Sequence, residues 1–178
     1  VSVGAMKKGP TIRFLEWLER KMYGAADRIV TVGEGYKDQL IAKGIDAGKI
    51  TVITNGVDRD AFHPRDPDAE LRRKHGLQDA FVCSYIGTIG MACGLDVVLR
   101  TARMLRNRGR NNIRFLLVGD GAVREDLEKR AQSEGLDNVV FAGLQPKAMI
   151  PAYFSITDAS LIHLARKDLF ESVFPSKL

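Results

Sequence analysis

The sequence predicts an α/β fold, a Rossmann-like parallel sheet with helices on both faces. Three observations carry that reading. Short apolar, β-branched runs alternate with amphipathic helical stretches, the pattern of βα units joined by right-handed crossovers. Most of the runs are too uniformly apolar to face water on one side, as parallel strands covered twice would be. Glycine-rich segments follow two of the runs and precede helices.

The strands are expected at 28–32 (RIVTV), 49–53 (KITVI), 81–86 (FVCSYI), 113–118 (IRFLLV), 139–142 (VVFA) and 160–164 (SLIHL). The first helix, 12–23, places Leu15, Leu18 and Met22 at helical spacing, with Trp17 and Tyr23 on its packing face. The second, 36–43, carries Leu40 and Ile41 and stops at Gly44. A short charged helix over 68–75 ends at Gly76, a residue suited to a helix C-terminus. Over 95–106, Leu95, Val98, Leu99, Ala102 and Leu105 line one face and arginines the other. The last helix, 124–134, runs through Leu127 and Ala131 to Gly135.

Composition bounds the function. A chain of 178 residues, 45% hydrophobic, has the apolar content to bury a core and is not a disordered tail. It contains no apolar run of about 18 residues, so no spanning helix is expected. Two cysteines are too few for a disulfide scaffold or a Cys-rich zinc module and suit a reducing compartment. The chain opens on Val1 without a signal-peptide pattern and is expected to begin inside a longer protein. The net charge of +5 is mild and spread over both halves. Residues 54–67 are rich in turn formers, with Asn55-Gly56 and two prolines, and read as a linker. The expected division is 1–57, the end of one domain with the linker entry, and 58–178, a second domain incomplete at its C-terminus.

The chemistry concentrates after the strands. Strand 81–86 runs into Gly87-Thr88-Ile89-Gly90-Met91-Ala92-Cys93-Gly94 and then a helix. Such a loop lets backbone approach a ligand, and the helix N-terminus offers N–H groups to an anion, a phosphate or diphosphate. The alternative is a tight turn whose glycines, Gly90 included, serve only positive φ. The spacing matches neither the dinucleotide fingerprint nor the P-loop. A second junction, Val118-Gly119-Asp120-Gly121, offers Asp120 as a helix cap. Both loops, and Gly143 after the next strand, lie at the carboxyl ends of strands, where open parallel sheets bind ligands. Near the end of the chain, Glu171 can accept hydrogen bonds from a sugar and Lys177 can pair with a phosphate. His63, His75 and His163 share no metal spacing, and His163 falls inside the last strand. Cys83 reads as a small buried hydrophobe and Cys93 as an accessible thiol beside the loop. Arg100, Arg103, Arg106, Arg108, Arg110 and Arg114 form a solvated face or, alternatively, a peripheral contact with anionic lipid. Aromatic interleaving is missing there, which argues against nucleic acid.

Taken in order, these segments resemble the retaining family-four, or group 1, glycosyltransferases of the GT-B fold. The resemblance runs from about Phe14 to Leu178. It rests on Ala26-Asp27-Arg28-Ile29-Val30-Thr31-Val32, on Ile50-Thr51-Val52-Ile53-Thr54-Asn55-Gly56-Val57-Asp58 with Phe62 and Pro64, and on Tyr85-Ile86-Gly87-Thr88 with Gly94-Leu95-Asp96. Phe115-Leu116-Leu117-Val118-Gly119-Asp120-Gly121 and Val140-Phe141-Ala142-Gly143 continue it. Phe170-Glu171 with Pro175-Ser176-Lys177-Leu178 is similar to the branch that builds bacterial surface polysaccharides.

The resemblance implies a nucleotide-sugar donor, UDP-linked, and transfer of a hexose or N-acetylhexosamine to a lipid-linked or saccharide acceptor. It places Gly87, Thr88, Gly90 and Gly94 at the diphosphate, Gly119 and Gly121 in the nucleotide pocket, and Leu144, Gln145 and Pro146 near the base. Glu171 is the implied catalytic residue at the donor sugar, and Lys177 faces the phosphates. No metal and no cofactor beyond the donor substrate is implied, and the implied location is the cytoplasm or the inner face of the membrane. Two places depart from the pattern: Thr88 and Cys93 stand where the family commonly has Arg and Lys. The diphosphate clamp is therefore expected to lean on backbone N–H groups, Lys177 or Arg166. Residues 1–178 alone are expected to bind donor without turnover. A UDP-sugar 2-epimerase and a non-catalytic nucleotide-sugar-binding module are the competing functions.

Overall fold

The computed structural model describes residues 9–165, so Arg166, Glu171 and Lys177 lie outside the described residues. The chain divides between Gly56 and Val57 into two compact units.

The first unit holds α1 (Pro10–Ala25), β1 (Ile29–Thr31), α2 (Glu34–Ala42) and β2 (Ile50–Val52). Pro10 opens α1, where its missing N–H has no helical partner to lose. β1 and β2 run parallel, Ile29 opposite Ile50. Burial here centres on Leu40, Thr31 and Ile50, where α2 contacts both strands. The expectation of strands covered on both faces fails in this unit: Val30 is 60% exposed and Thr51 is exposed. Their alternation is that of strands with one wet face. The packing role given to Trp17 and Tyr23 is corrected as well. None of α1 is buried. Trp17 stacks on Phe14 at 5.8 Å between ring centroids, and the Tyr23 hydroxyl donates to Glu19 Oε1 at 3.2 Å.

The second unit holds α3 (Ala69–Lys74), β3 (Phe81–Ile86), α4 (Asp96–Asn107), β4 (Ile113–Val118), α5 (Arg124–Ser133), β5 (Val139–Gly143), α6 (Ile150–Ser155) and β6 (Ala159–Ser160). Its sheet is fully parallel, in the order β5-β4-β3-β6. Side chains alternate between two cores, as a pleated strand requires. On one face Tyr85, Phe115, Leu117 and Val139 pack with Val98, Leu99 and Ala102 of α4 and Leu127 and Ala131 of α5. On the other, Val82, Ile86, Leu116 and Val118 pack with Leu71 of α3 and Tyr153 of α6. Both faces are covered, which is why β3 and β4 read as continuous apolar runs.

Local chemistry sets the ends. The Asp68 carboxylate accepts from Leu71 N at 2.9 Å and starts α3. Asp158 Oδ2 accepts from Val82 N at 2.8 Å and from Arg72 at 2.9 Å, tying α3 and β3 to the entry of β6. α6 has no counterpart among the expected helices; Pro151 occupies its first turn, where proline is tolerated. The last strand is shorter than the expected 160–164. Only Ala159 and Ser160 pair with β3. Beyond Ile86 the adjoining backbone is the glycine loop rather than a strand, so 161–165 follow that loop and His163 is not in a strand. Among the described residues no helix is long and apolar enough to cross a membrane.

Candidate functional site

From β3 the chain moves outward through β4 to β5, then returns to β6 on the other side of β3. That reversal makes a topological switch point between β3 and β6, where the carboxyl ends of parallel strands leave a crevice for ligands. Three segments meet there: the loop 87–94 after β3, the turn 119–121 after β4, and the extension 161–165 after β6.

The first two segments interlock. Gly87 N donates to Val118 O and Ile89 N to Asp120 O, each at 2.8 Å. Gly119 has φ +134 and Gly121 φ +157, conformations that L side chains rarely adopt. A Cβ on Gly119 would overlap the Gly87 carbonyl oxygen, and one on Gly121 would sit 2.5 Å from Ile89 O. Gly119 N in turn donates to Gly143 O at 2.8 Å, which links the end of β5 to the same seam. Asp120 does not cap α5. Its Oδ1 accepts from Gly121 N at 2.8 Å and lies 3.7 Å from Arg124, so the carboxylate shapes the turn instead.

A count of amides in the first loop shows what remains for a ligand. Those of Gly87, Ile89 and Cys93 are engaged, the last with Gly90 O at 3.0 Å. Those of Thr88 and Gly90, like those of Met91 and Ala92, have no acceptor among the described residues. Both residues are at least partly exposed, and the 12-residue α4 starts just beyond with no side-chain cap. Free N–H groups and an uncapped helix N-terminus are positive partial charges suited to an anion. Gly90 itself has φ −105, so the positive φ allowed for it in the sequence reading is not used. A Cβ there would meet the Thr88 methyl at 3.9 Å and nothing closer.

The carbonyls of this loop point into the protein. The buried Tyr85 hydroxyl donates to Thr88 O at 2.8 Å, and Cys93 Sγ donates to the same oxygen at 3.2 Å. Burial pushes the Tyr85 hydroxyl well above its ordinary range, so it stays a donor. Cys93 is therefore a buried loop clamp, which corrects its reading as an accessible thiol. Cys83 is half-buried beside the α4–α5 core, and burial raises its thiol. His163 Nδ1 lies 2.6 Å from Cys93 O, and Ala165 N donates to Ala92 O at 2.8 Å. Neither contact has a signal in the sequence, because both depend on where β6 stops.

Gly87, Thr88, Gly90, Gly94, Gly119 and Gly121 are thus gathered at one crevice. Leu144 and Pro146 follow β5, the edge strand two places from β3, and Leu144 is 75% exposed. Glu171 and Lys177 lie outside the described residues. Four of the six arginines of and after α4 have side-chain partners in the protein: Arg100 pairs with Asp96 and Arg103 with Glu134, each at 3.3 Å. Arg106 donates to Glu134 O and Arg114 to Asp137 O. Their arrangement matches the solvated face. A hollow of about 470 Å³ is lined by Phe62, His63, Arg65, Phe154 and Thr157 and shares no residue with the glycine loops.

Comparison with known proteins decides the family. Residues 67–173, more than half of the chain, match the family described as glycosyl transferases group 1, and residues 4–61 match glycosyltransferase family 4. The chain belongs to the group 1 glycosyl transferases. It is 30% identical to the putative colanic acid biosynthesis glycosyl transferase WcaI of Escherichia coli K12, over 98% of this chain and 43% of that protein. It is 30% identical to the alpha-D-kanosaminyltransferase of Streptomyces kanamyceticus, over 79% of this chain and 37% of that one. The chain thus spans less than half the length of these relatives. Among solved structures, Anabaena Alr3699/HepE in complex with UDP and glucose superposes with a TM-score of 0.65 at 20% identity, over 76% of this chain and 37% of that one. WaaG, a glycosyltransferase involved in lipopolysaccharide biosynthesis, superposes with a TM-score of 0.58 at 18% identity, over 75% and 37%. The parallel sheets with covering helices are the α/β fold of GT-B glycosyltransferases.

Proposed function

We propose that this chain carries the nucleotide-sugar-binding part of a retaining glycosyltransferase. In this reading it holds a UDP-linked hexose or N-acetylhexosamine for transfer to a lipid-linked or polysaccharide acceptor, on the cytoplasmic side, in bacterial surface-polysaccharide synthesis. The observation that carries it is the set of unengaged amides in the loop, those of Thr88 and Gly90 among them, at the switch point beside the start of α4. They are placed to receive a diphosphate, and fixed dipoles of this kind stabilise the charge that develops on a departing nucleoside diphosphate. Gly119 and Gly121 hold the neighbouring wall, Leu144 and Pro146 border the base, Lys177 meets the phosphates and Glu171 faces the donor sugar. The nucleotide sugar is a substrate, and this reading requires no resident cofactor. UDP and glucose in HepE support the donor class, and the colanic acid role named for WcaI supports the branch.

The test is a thermal-shift screen of the 178-residue protein against UDP, GDP, ADP and their sugars. A ligand that binds the native state alone must raise its melting temperature. A rise with UDP and UDP-sugars is expected. No shift with any of the three diphosphates at millimolar concentration overturns the nucleotide reading.

A further inference from the structure

The loop 87–94 carries no lysine or arginine, although the crevice it borders is proposed above to take a diphosphate. The backbone dipoles of Thr88 and Gly90 are partial charges, and a full positive charge has to come from another element. The residue that leans on this loop from β6 is a histidine. His163 Nδ1 is 2.6 Å from the Cys93 carbonyl oxygen, which is an acceptor only, so Nδ1 carries the hydrogen and donates. The ring is further confined by Gly94, where a Cβ would come within 3.2 Å of His163 Cε1. Next to it Ala165 N holds Ala92 O at 2.8 Å, so the extension after β6 and the end of the loop move as one piece. Nε2, on the other edge of the ring, has no protein partner among the described residues, and the side chain is only partly buried.

We infer that His163 is a diphosphate-contacting residue, fixed through Nδ1 on Cys93 O and presenting Nε2–H to the phosphates of a nucleoside diphosphate. This inference rests on the nucleotide reading. An Nδ1 hydrogen on Cys93 O is compatible with the neutral imidazole and with the imidazolium alike; a neighbouring anion favours the imidazolium, which donates from both nitrogens. Among the described residues, the titratable groups of the loop 87–94 and of the first turn of α4 are already engaged. The Cys93 thiol is bonded to Thr88 O, and Asp96 at the start of α4 is paired with Arg100 at 3.3 Å.

Two isosteric variants separate a ligand contact from a structural clamp. The amide of His163→Asn reproduces the Nδ1 donor and lacks Nε2, whereas His163→Gln reproduces the Nε2 donor. Calorimetric titration of UDP, GDP and ADP, with the free nucleosides as controls, gives the readout. His163→Asn should melt like the native chain yet bind the preferred diphosphate about tenfold or more weakly, as loss of a charge-assisted hydrogen bond implies, with nucleoside binding unchanged. His163→Gln should retain more affinity than His163→Asn. If His163→Asn is unstable, ¹H–¹⁵N NMR of the native protein decides. The His163 ring should keep its Nδ1 hydrogen and change its Nε2 resonance on saturation with the diphosphate, while His63 and His75 stay put. Native-like diphosphate affinity in a folded His163→Asn, or no change at the His163 ring on saturation, overturns the inference and leaves the nucleotide reading intact. Failure of the native chain to bind any of the three diphosphates overturns both.

Discussion

At the junction after β4, a Cβ on Gly119 or Gly121 would drive into the backbone of the neighbouring loop. At Gly90, in the junction after β3, it would meet a single methyl at 3.9 Å. In sequence the two junctions look alike, each a strand, a run with spaced glycines and a helix. In the structure they differ in what makes glycine necessary. Gly119 and Gly121 are glycines because the fold presses two backbones together at that seam. Gly90 has an ordinary extended conformation and open space around it, and the fold alone would accept a side chain there. A glycine without a structural reason, whose own amide and that of Thr88 lack acceptors, indicates that something outside the fold comes close.

The sharpest way to break this comparison is Gly121→Ala. The methyl would have to displace Ile89 O from 2.5 Å at φ +157, combining backbone strain with steric overlap. A loss of about 3 kcal/mol or more of stability is expected from the two together. Urea denaturation followed by circular dichroism measures it. A variant as stable as the native chain would show that the seam between the two loops is loose and that Gly119 and Gly121 are not there for the fold.

The complementary change is Gly90→Val, a smaller perturbation of the fold and a large one of the site. The extended backbone at φ −105 suits a β-branched residue, so stability should change by less than about 1 kcal/mol. Diphosphate affinity should fall by at least about tenfold if the ligand reaches the Gly90 amide, because the branched side chain shields that N–H. Calorimetry on a variant that melts normally reads this directly. Undiminished UDP binding would mean that the open space at Gly90 is not the ligand's.

How much of this was legible depends on how local the cause is. β3 and β4 fall on the expected residues, because a strand covered on both faces is apolar at most positions and the sequence shows that directly. The glycine loops were visible as loops, yet the division of labour between Gly90 and Gly119 with Gly121 was not. It depends on which backbones touch, and Gly87 and Gly119 are brought together by β3–β4 pairing rather than by sequence. The same holds for His163 and Cys93, whose contact exists because β6 stops at Ser160. Trp17 misled for the opposite reason: helical spacing marks an apolar face but not whether anything among the described residues covers it.

The smallest expected effect tests what holds the first loop in shape. Tyr85 is fully buried, and its hydroxyl bonds to Thr88 O at 2.8 Å and Cys93 Sγ at 3.0 Å. Thr88 O and the Ile89 amide, which donates to Asp120 O, belong to one peptide plane that both contacts hold in place, so the hydroxyl acts on the ligand site through the backbone. Tyr85→Phe removes the hydroxyl and little volume. Thr88 O keeps the Cys93 thiol as a donor, so the carbonyl is not orphaned and the cost is about 0.5–1.5 kcal/mol, the net value of one hydrogen bond. Affinity for the diphosphate should drop severalfold, less than for Gly90→Val, since the loop keeps the Ile89 N bond to Asp120 O and the Cys93 N bond to Gly90 O. Adding Cys93→Ala to Tyr85→Phe removes the second donor from Thr88 O and should cost more than the two single changes summed, because only then is that oxygen left without a side-chain donor. A strictly additive double mutant would show that the two side chains do not share Thr88 O, and the clamp would then lie in the backbone bonds to Asp120 and Gly90 alone.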